Sequence, residues 1–115
     1  MDKKQVIEIL EEIGTLLELK GENPFKTRAY ENAARALRGV SEDLNELVAS
    51  NRLRGIKGIG EAISEKITTL VTTGTLKYYE ELRRSFPPGI MELLRIPGLG
   101  PKKAKKLLDD LGVAS

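Results

Sequence analysis

The sequence contains no cysteine, no histidine and no tryptophan. The first two absences exclude disulfides, thiol redox chemistry, Ser-His and Cys-His nucleophile pairs, and any ordinary zinc site. Aromatics make up only 4% of the 115 residues, and no stretch alternates apolar and polar residues as a strand does. No apolar run is long enough to span a membrane. The opening Met1-Asp2-Lys3-Lys4 lacks the apolar stretch of a secretory signal. A cytoplasmic chain with no membrane association is therefore expected. No heptad or large apolar patch argues for a dimer, so a monomer is expected too.

What is present is charge, unevenly placed. The net charge is +2, but residues 1–50 hold 7 basic and 10 acidic side chains, against 12 and 7 in residues 51–115. The C-terminal half is the candidate face for an anionic partner. Chance scatter of charge is the plainer explanation.

Helical periodicity dominates the chain. Val6, Ile7, Leu10, Ile13, Leu17 and Leu19 form the apolar stripe of a helix over 3–20, which Gly21 stops. Asn23-Pro24 reads as a cap and first turn, opening a helix to about Leu37 whose alanines allow close approach of a neighbour. Ser41 can cap a third helix with Leu44, Leu47 and Val48 inward. Further helices are expected over 60–73 and 76–84, near 90–95 and from Pro101 to Leu111, with Gly74 ending one and Gly112 the last. Pro87-Pro88-Gly89 is a hard break. The expected fold is all-α, with short loops.

An internal repeat stands out at an offset of 40 residues. Ile56-Lys57-Gly58-Ile59-Gly60 is matched by Ile96-Pro97-Gly98-Leu99-Gly100. Ile63, Ile67 and Leu70 follow the first copy, and Ala104, Leu107 and Leu111 approximate them after the second. Two helices joined by an apolar-x-Gly-apolar-Gly turn form a helix-hairpin-helix. The glycines, Gly58 and Gly60 or Gly98 and Gly100, allow a tight turn with no side chains on the surface it presents. The following helix then aims unpaired N–H groups and the positive end of its dipole outward, a seat for a phosphate that reads no base. Neither copy fits a P-loop or a dinucleotide fingerprint.

Lys102 and Lys103 lie in the first turn of the last helix. There they oppose the dipole at roughly 0.3–1 kcal/mol each, unless a phosphate docks beside them. Lys106 and Lys105 extend that basic surface. A solvated lysine face is the alternative; the glycine turn before it favours phosphate binding. In the first copy, Arg54 and Lys57 precede the glycines, but Glu61 in the helix's first turn repels an anion. Lys66 lies about 60° from Ile63 and about 40° from Leu70 on a helical wheel, at the edge of the buried stripe. It is either a boundary lysine whose stem covers apolar surface or a desolvated amine able to attack a sugar aldehyde. Spacing alone favours the first.

Three stretches together resemble the N-terminal region of family X DNA polymerases, particularly the bacterial, polymerase β-like members. They are Asn23-Pro24-Phe25-Lys26-Thr27-Arg28-Ala29-Tyr30 with Ala33-Ala34, Leu53 through Ile67, and Ile96 through Lys103. The resemblance covers nearly the whole chain. It implies a lyase-like domain over 1–86 carrying the first hairpin, and a second helix-hairpin-helix region over 87–115. It implies that Lys66 is the Schiff-base nucleophile that removes a 5′-deoxyribose phosphate in base excision repair. Lys26 and Tyr30 would serve the 5′-phosphate, and Arg54 would take the place of a phosphate-contacting lysine. Backbone carbonyls of Arg54, Ile56, Ile59, Leu94, Ile96 and Leu99 would hold a monovalent Na⁺ or K⁺, the lyase chemistry itself needing no cofactor. Phe25, Ala62 and Tyr78 stand where such polymerases carry a histidine and two lysines, so the pocket holds less positive charge. No carboxylate cluster suits nucleotidyl transfer, and polymerisation by this chain alone is not expected. The implied partner is gapped or nicked DNA, or 5′-phosphate ends, at the bacterial nucleoid. A non-catalytic DNA-binding module, and a protein-interaction domain or engineered scaffold, are the rival readings.

Overall fold

The computed structural model describes residues 1–110, the Pro101 side chain apart. Seven α-helices and one 3-10 turn, with no strand, make up the described residues, as the periodicity predicts. They are α1 (Lys3–Lys20), α2 (Pro24–Arg38), α3 (Leu44–Ala49), a 3-10 turn (Leu53–Gly55), α4 (Glu61–Thr73), α5 (Lys77–Arg84), α6 (Ile90–Leu94) and α7 (Gly100–Asp110). None is long and apolar enough to cross a membrane.

Local chemistry fixes the ends. Asp2 and Gln5 form a reciprocal capping box at the start of α1, and Gly21 ends it in the left-handed region. Asn23 accepts the Phe25 N–H at 2.9 Å, with Pro24 in the first turn of α2. Asp43, not Ser41, caps α3: its carboxylate accepts the Asn45 N–H at 3.0 Å. Asn51, with φ 56°, turns the chain out of α3 while Arg52 N–H bonds back to the Leu47 carbonyl at 2.9 Å. A short polar side chain tolerates that backbone better than most.

The core is the seam between α1 and α2, extended by α4. The α1 stripe is buried as expected, joined by Leu16 and Gly14, which the spacing did not single out. A Cβ at Gly14 would lie 3.5 Å from the Thr27 carbonyl oxygen and 3.6 Å from Tyr30 Cβ, so the backbones approach closely there. Ala33 and Ala34 face that seam, fully buried. Val48 is only half-buried.

The last helix folds back on the first. Ala104 is fully buried, α7 packs along α1, and the Lys105 ammonium reaches the turn at Gly21. Leu107, expected inward, is 42% exposed; Leu108 packs against the core instead. The expected roles of Leu111 and Gly112 lie outside the described residues.

Candidate nucleic-acid interface

The two glycine turns have one hydrogen-bond pattern. In the first, Gly55 N–H bonds to the Arg52 carbonyl at 3.2 Å, Ile56 to Leu53 at 3.1 Å, and Ile59 to Ile56 at 3.1 Å. In the second, forty residues on, Arg95 bonds to Glu92 at 3.1 Å, Ile96 to Leu93 at 3.2 Å, and Leu99 to Ile96 at 3.1 Å. Gly58 and Gly98 sit at equivalent points with φ of 99° and 80°. Ile59 is buried beneath its turn, and Leu99 is half-buried beneath the other.

The copies diverge at the second glycine. Gly60 is extended, with φ −81° and ψ 172°, and caps α4 without any side-chain bond to the helix N-terminus. Gly100 is left-handed, with φ 56°, and α7 begins at it rather than at Pro101. Gly58 also has a structural duty. A Cβ there would lie 3.4 Å from both Ala36 Cβ and the Asn32 carbonyl oxygen, so the first turn is seated on α2. Gly60, Gly98 and Gly100 face open space.

Charge follows the turns. Arg54 pairs with Glu61 at 3.6 Å across the first turn, both side chains exposed, so the acid that repels an anion is partly neutralised from its own hairpin. Lys57 is exposed beside it, and Lys26 is exposed on the first turn of α2. Lys102, Lys103 and Lys106 are exposed on α7 while Ala104 turns inward. Next to Lys26, Phe25 is 76% exposed, with the Arg28 guanidinium 5.3 Å from its ring centre. The Ile56 and Ile96 carbonyls each accept one N–H within their turns, which leaves a lone pair apiece. Such carbonyl oxygens suit a hard monovalent cation. No cluster of three acidic side chains fit for a metal occurs among the described residues.

Lys66 and Tyr30 meet in one column of side chains. Half-buried Lys66 on α4 places its ammonium 4.9 Å from the ring centre of Tyr78 on α5. Tyr78 stacks in turn on Tyr30 of α2, the rings 6.5 Å apart and 6° from parallel. Tyr30 is 4% exposed, and burial, then its neighbour Tyr78, hold its phenol well above the ordinary tyrosine range. In the sequence Tyr78 shows only as a missing lysine; its role as an aromatic seat for Lys66 depends on how α4 and α5 cross. Beyond the column, Tyr79 donates to Glu12 on α1 and carries Arg83 on its ring at 5.5 Å. Burial, then the bond to Glu12, pushes its phenol up to about 12.

Comparison with known proteins agrees with this geometry. A model described as a helix-hairpin-helix domain matches residues 1–76, about two-thirds of the chain. The chain belongs to the helix-hairpin-helix family. A SAM-like helix-hairpin-helix tandem model matches the second hairpin, over residues 90–115. The chain is also 39% identical, over 113 residues and 98% of its length, to the DNA polymerase/3′-5′ exonuclease PolX of Bacillus subtilis strain 168. That is the bacterial family X likeness its motifs carry. It spans only 19% of that relative, in its N-terminal part.

Proposed function

We propose that the chain grips DNA through backbone phosphates at its two hairpins, without reading bases. The observation that carries this is the repeated turn: three backbone hydrogen bonds and a left-handed glycine recur at an offset of forty residues, each time opening a helix. At such a helix start, uncapped N–H groups and the positive dipole end meet an anion. The two units, 1–86 and 87–115, would each hold their own phosphates, as a monomer working at the bacterial nucleoid. Lys102 and Lys103 would add direct ionic contacts, and Arg54 and Lys57 would do so at the first turn. The carbonyls of Arg54, Ile56 and Ile59, and of Leu94, Ile96 and Leu99, would hold a Na⁺ or K⁺. That ion would supply positive charge between turn and phosphate.

On gapped or nicked DNA with a 5′-deoxyribose phosphate, Lys66 is the nucleophile of this reading. Its neutral amine adds to the C1′ aldehyde, and loss of water leaves an iminium. Removal of a C2′ proton then breaks the C3′–O3′ bond; the phosphate on O3′ stays on the DNA as its new 5′-phosphate, and water releases the unsaturated sugar phosphate from Lys66. Half-burial of Lys66 supports this assignment. The aromatic face under Lys66 favours a second reading, in which it only stiffens a non-catalytic module.

Borohydride trapping separates the two. On gapped DNA carrying the sugar phosphate, a covalent adduct lost in Lys66→Ala is the expected result. Binding with no adduct in the native chain leaves the non-catalytic module. Affinity indifferent to salt sinks the phosphate model itself.

A further inference from the structure

Beyond the two hairpins, an open groove of about 670 Å³ runs between the end of α5 and α6. Arg83 and Arg84 on α5 and Arg95 after α6 line it, together with Glu80, Glu92 and Phe86. Of the other arginines, Arg38 pairs with Glu11, Arg52 with Glu42 and Arg54 with Glu61, while Arg28 rests on Phe25 and Arg35 makes no ion pair among the described residues. Among the described residues no carboxylate comes within ion-pair distance of Arg84 or Arg95, and the Arg83 guanidinium rests on Tyr79. Three guanidiniums against two carboxylates, none of them held in an ion pair among the described residues, leave the groove net positive and favour an anion with several oxygens, which planar guanidinium forks bind by paired N–H groups.

We propose that this groove binds backbone phosphates of the same DNA strand that the second hairpin holds. The proposal rests on the DNA-binding reading and extends it to a surface outside both hairpins. Position in the chain selects the partner. Arg95 is three residues from Gly98, so their Cα atoms are at most about 11 Å apart. Phosphates of one strand rise about 3.4 Å along the axis per nucleotide and lie farther apart than that through space, so the reach spans only one or two steps of the backbone. An anion in the groove and one at the hairpin are then near neighbours on a single backbone. Phe86 and Ile90 are buried beneath the groove, which gives the arginines a firm base.

The test is the salt dependence of DNA affinity for Arg84→Gln/Arg95→Gln. These two side chains are exposed, and neither makes an ion pair, so the fold is expected to survive. The expected result is a log K against log salt slope shallower by about two units, since each phosphate contact contributes about 0.9. Arg38→Gln/Arg52→Gln, which removes the same charge elsewhere, is expected to move the slope by less than half a unit. Equal changes in both pairs, or none in the groove pair, overturn the proposal. Lys102→Glu/Lys103→Glu separates the two claims. If it abolishes binding while the groove pair behaves as the native chain, the hairpin reading stands and the groove does not. If the native chain binds no DNA at low salt, both fall.

Discussion

Gly58 and Gly60 are two residues apart and do different things. Gly58 has φ 99° and touches α2, so Gly58→Ala meets both backbone strain and a contact at 3.4 Å. It is expected to cost about 1–2 kcal/mol, read as a lower thermal midpoint. Gly60 is extended and open but is the N-cap of α4, where alanine is poorer than glycine, so Gly60→Ala is expected to cost about 0.5–1 kcal/mol, less than Gly58→Ala, while weakening DNA binding, because a methyl would stand where a phosphate approaches. Equal stability losses in the two variants would refute this division. Glu61→Gln is the converse experiment. It removes the acid from the α4 N-terminus and releases Arg54, so DNA affinity at low salt is expected to rise about two- to five-fold while the midpoint falls slightly. Titration melts check the tyrosines. A phenol raised in the folded chain adds stability that is whole below the unfolded value of 10.0 and is lost as pH rises toward about 12. Tyr79→Phe is therefore expected to flatten the fall in stability above about pH 10, compared with the native chain.

Helices and turns were the most legible level. The apolar stripe of α1, the Asn23-Pro24 start of α2 and both glycine turns follow from local rules that the sequence states outright. What stayed hidden depends on how elements meet. Leu107 has the spacing of a core residue, yet α7 reaches α1 through Ala104 and leaves Leu107 in solvent. Tyr78 looks like a lost cation until α5 lays its ring under Lys66. Ser41 and Asp43 both satisfy the rule for a cap, and only the backbone path chooses Asp43. The α1–α2 seam offers a test at this scale. A Cβ at Gly14 makes ordinary contacts with α2, so Gly14→Ala is expected to stabilise by up to about 1 kcal/mol through helix propensity. Gly14→Leu, which must wedge the helices apart, is expected to cost about 1–3 kcal/mol. Thermal melts of the pair would show opposite signs.

The whole molecule is elongated, 47 × 24 × 24 Å, with acid concentrated in the first half of the chain and base in the second. The first and last described helices nevertheless lie side by side. Between α1 and α2 the chain crosses only Gly21–Asn23; between α1 and α7 it travels about 80 residues. Closing a loop of that length costs about 4 kcal/mol of chain entropy, against a far smaller cost for the short turn. Most of this fold can therefore form from near neighbours and form quickly. The return of α7 to α1 is the exception. During synthesis α1 leaves the ribosome well before α7, so one side of α1 stays uncovered until the turns of α7 have been made.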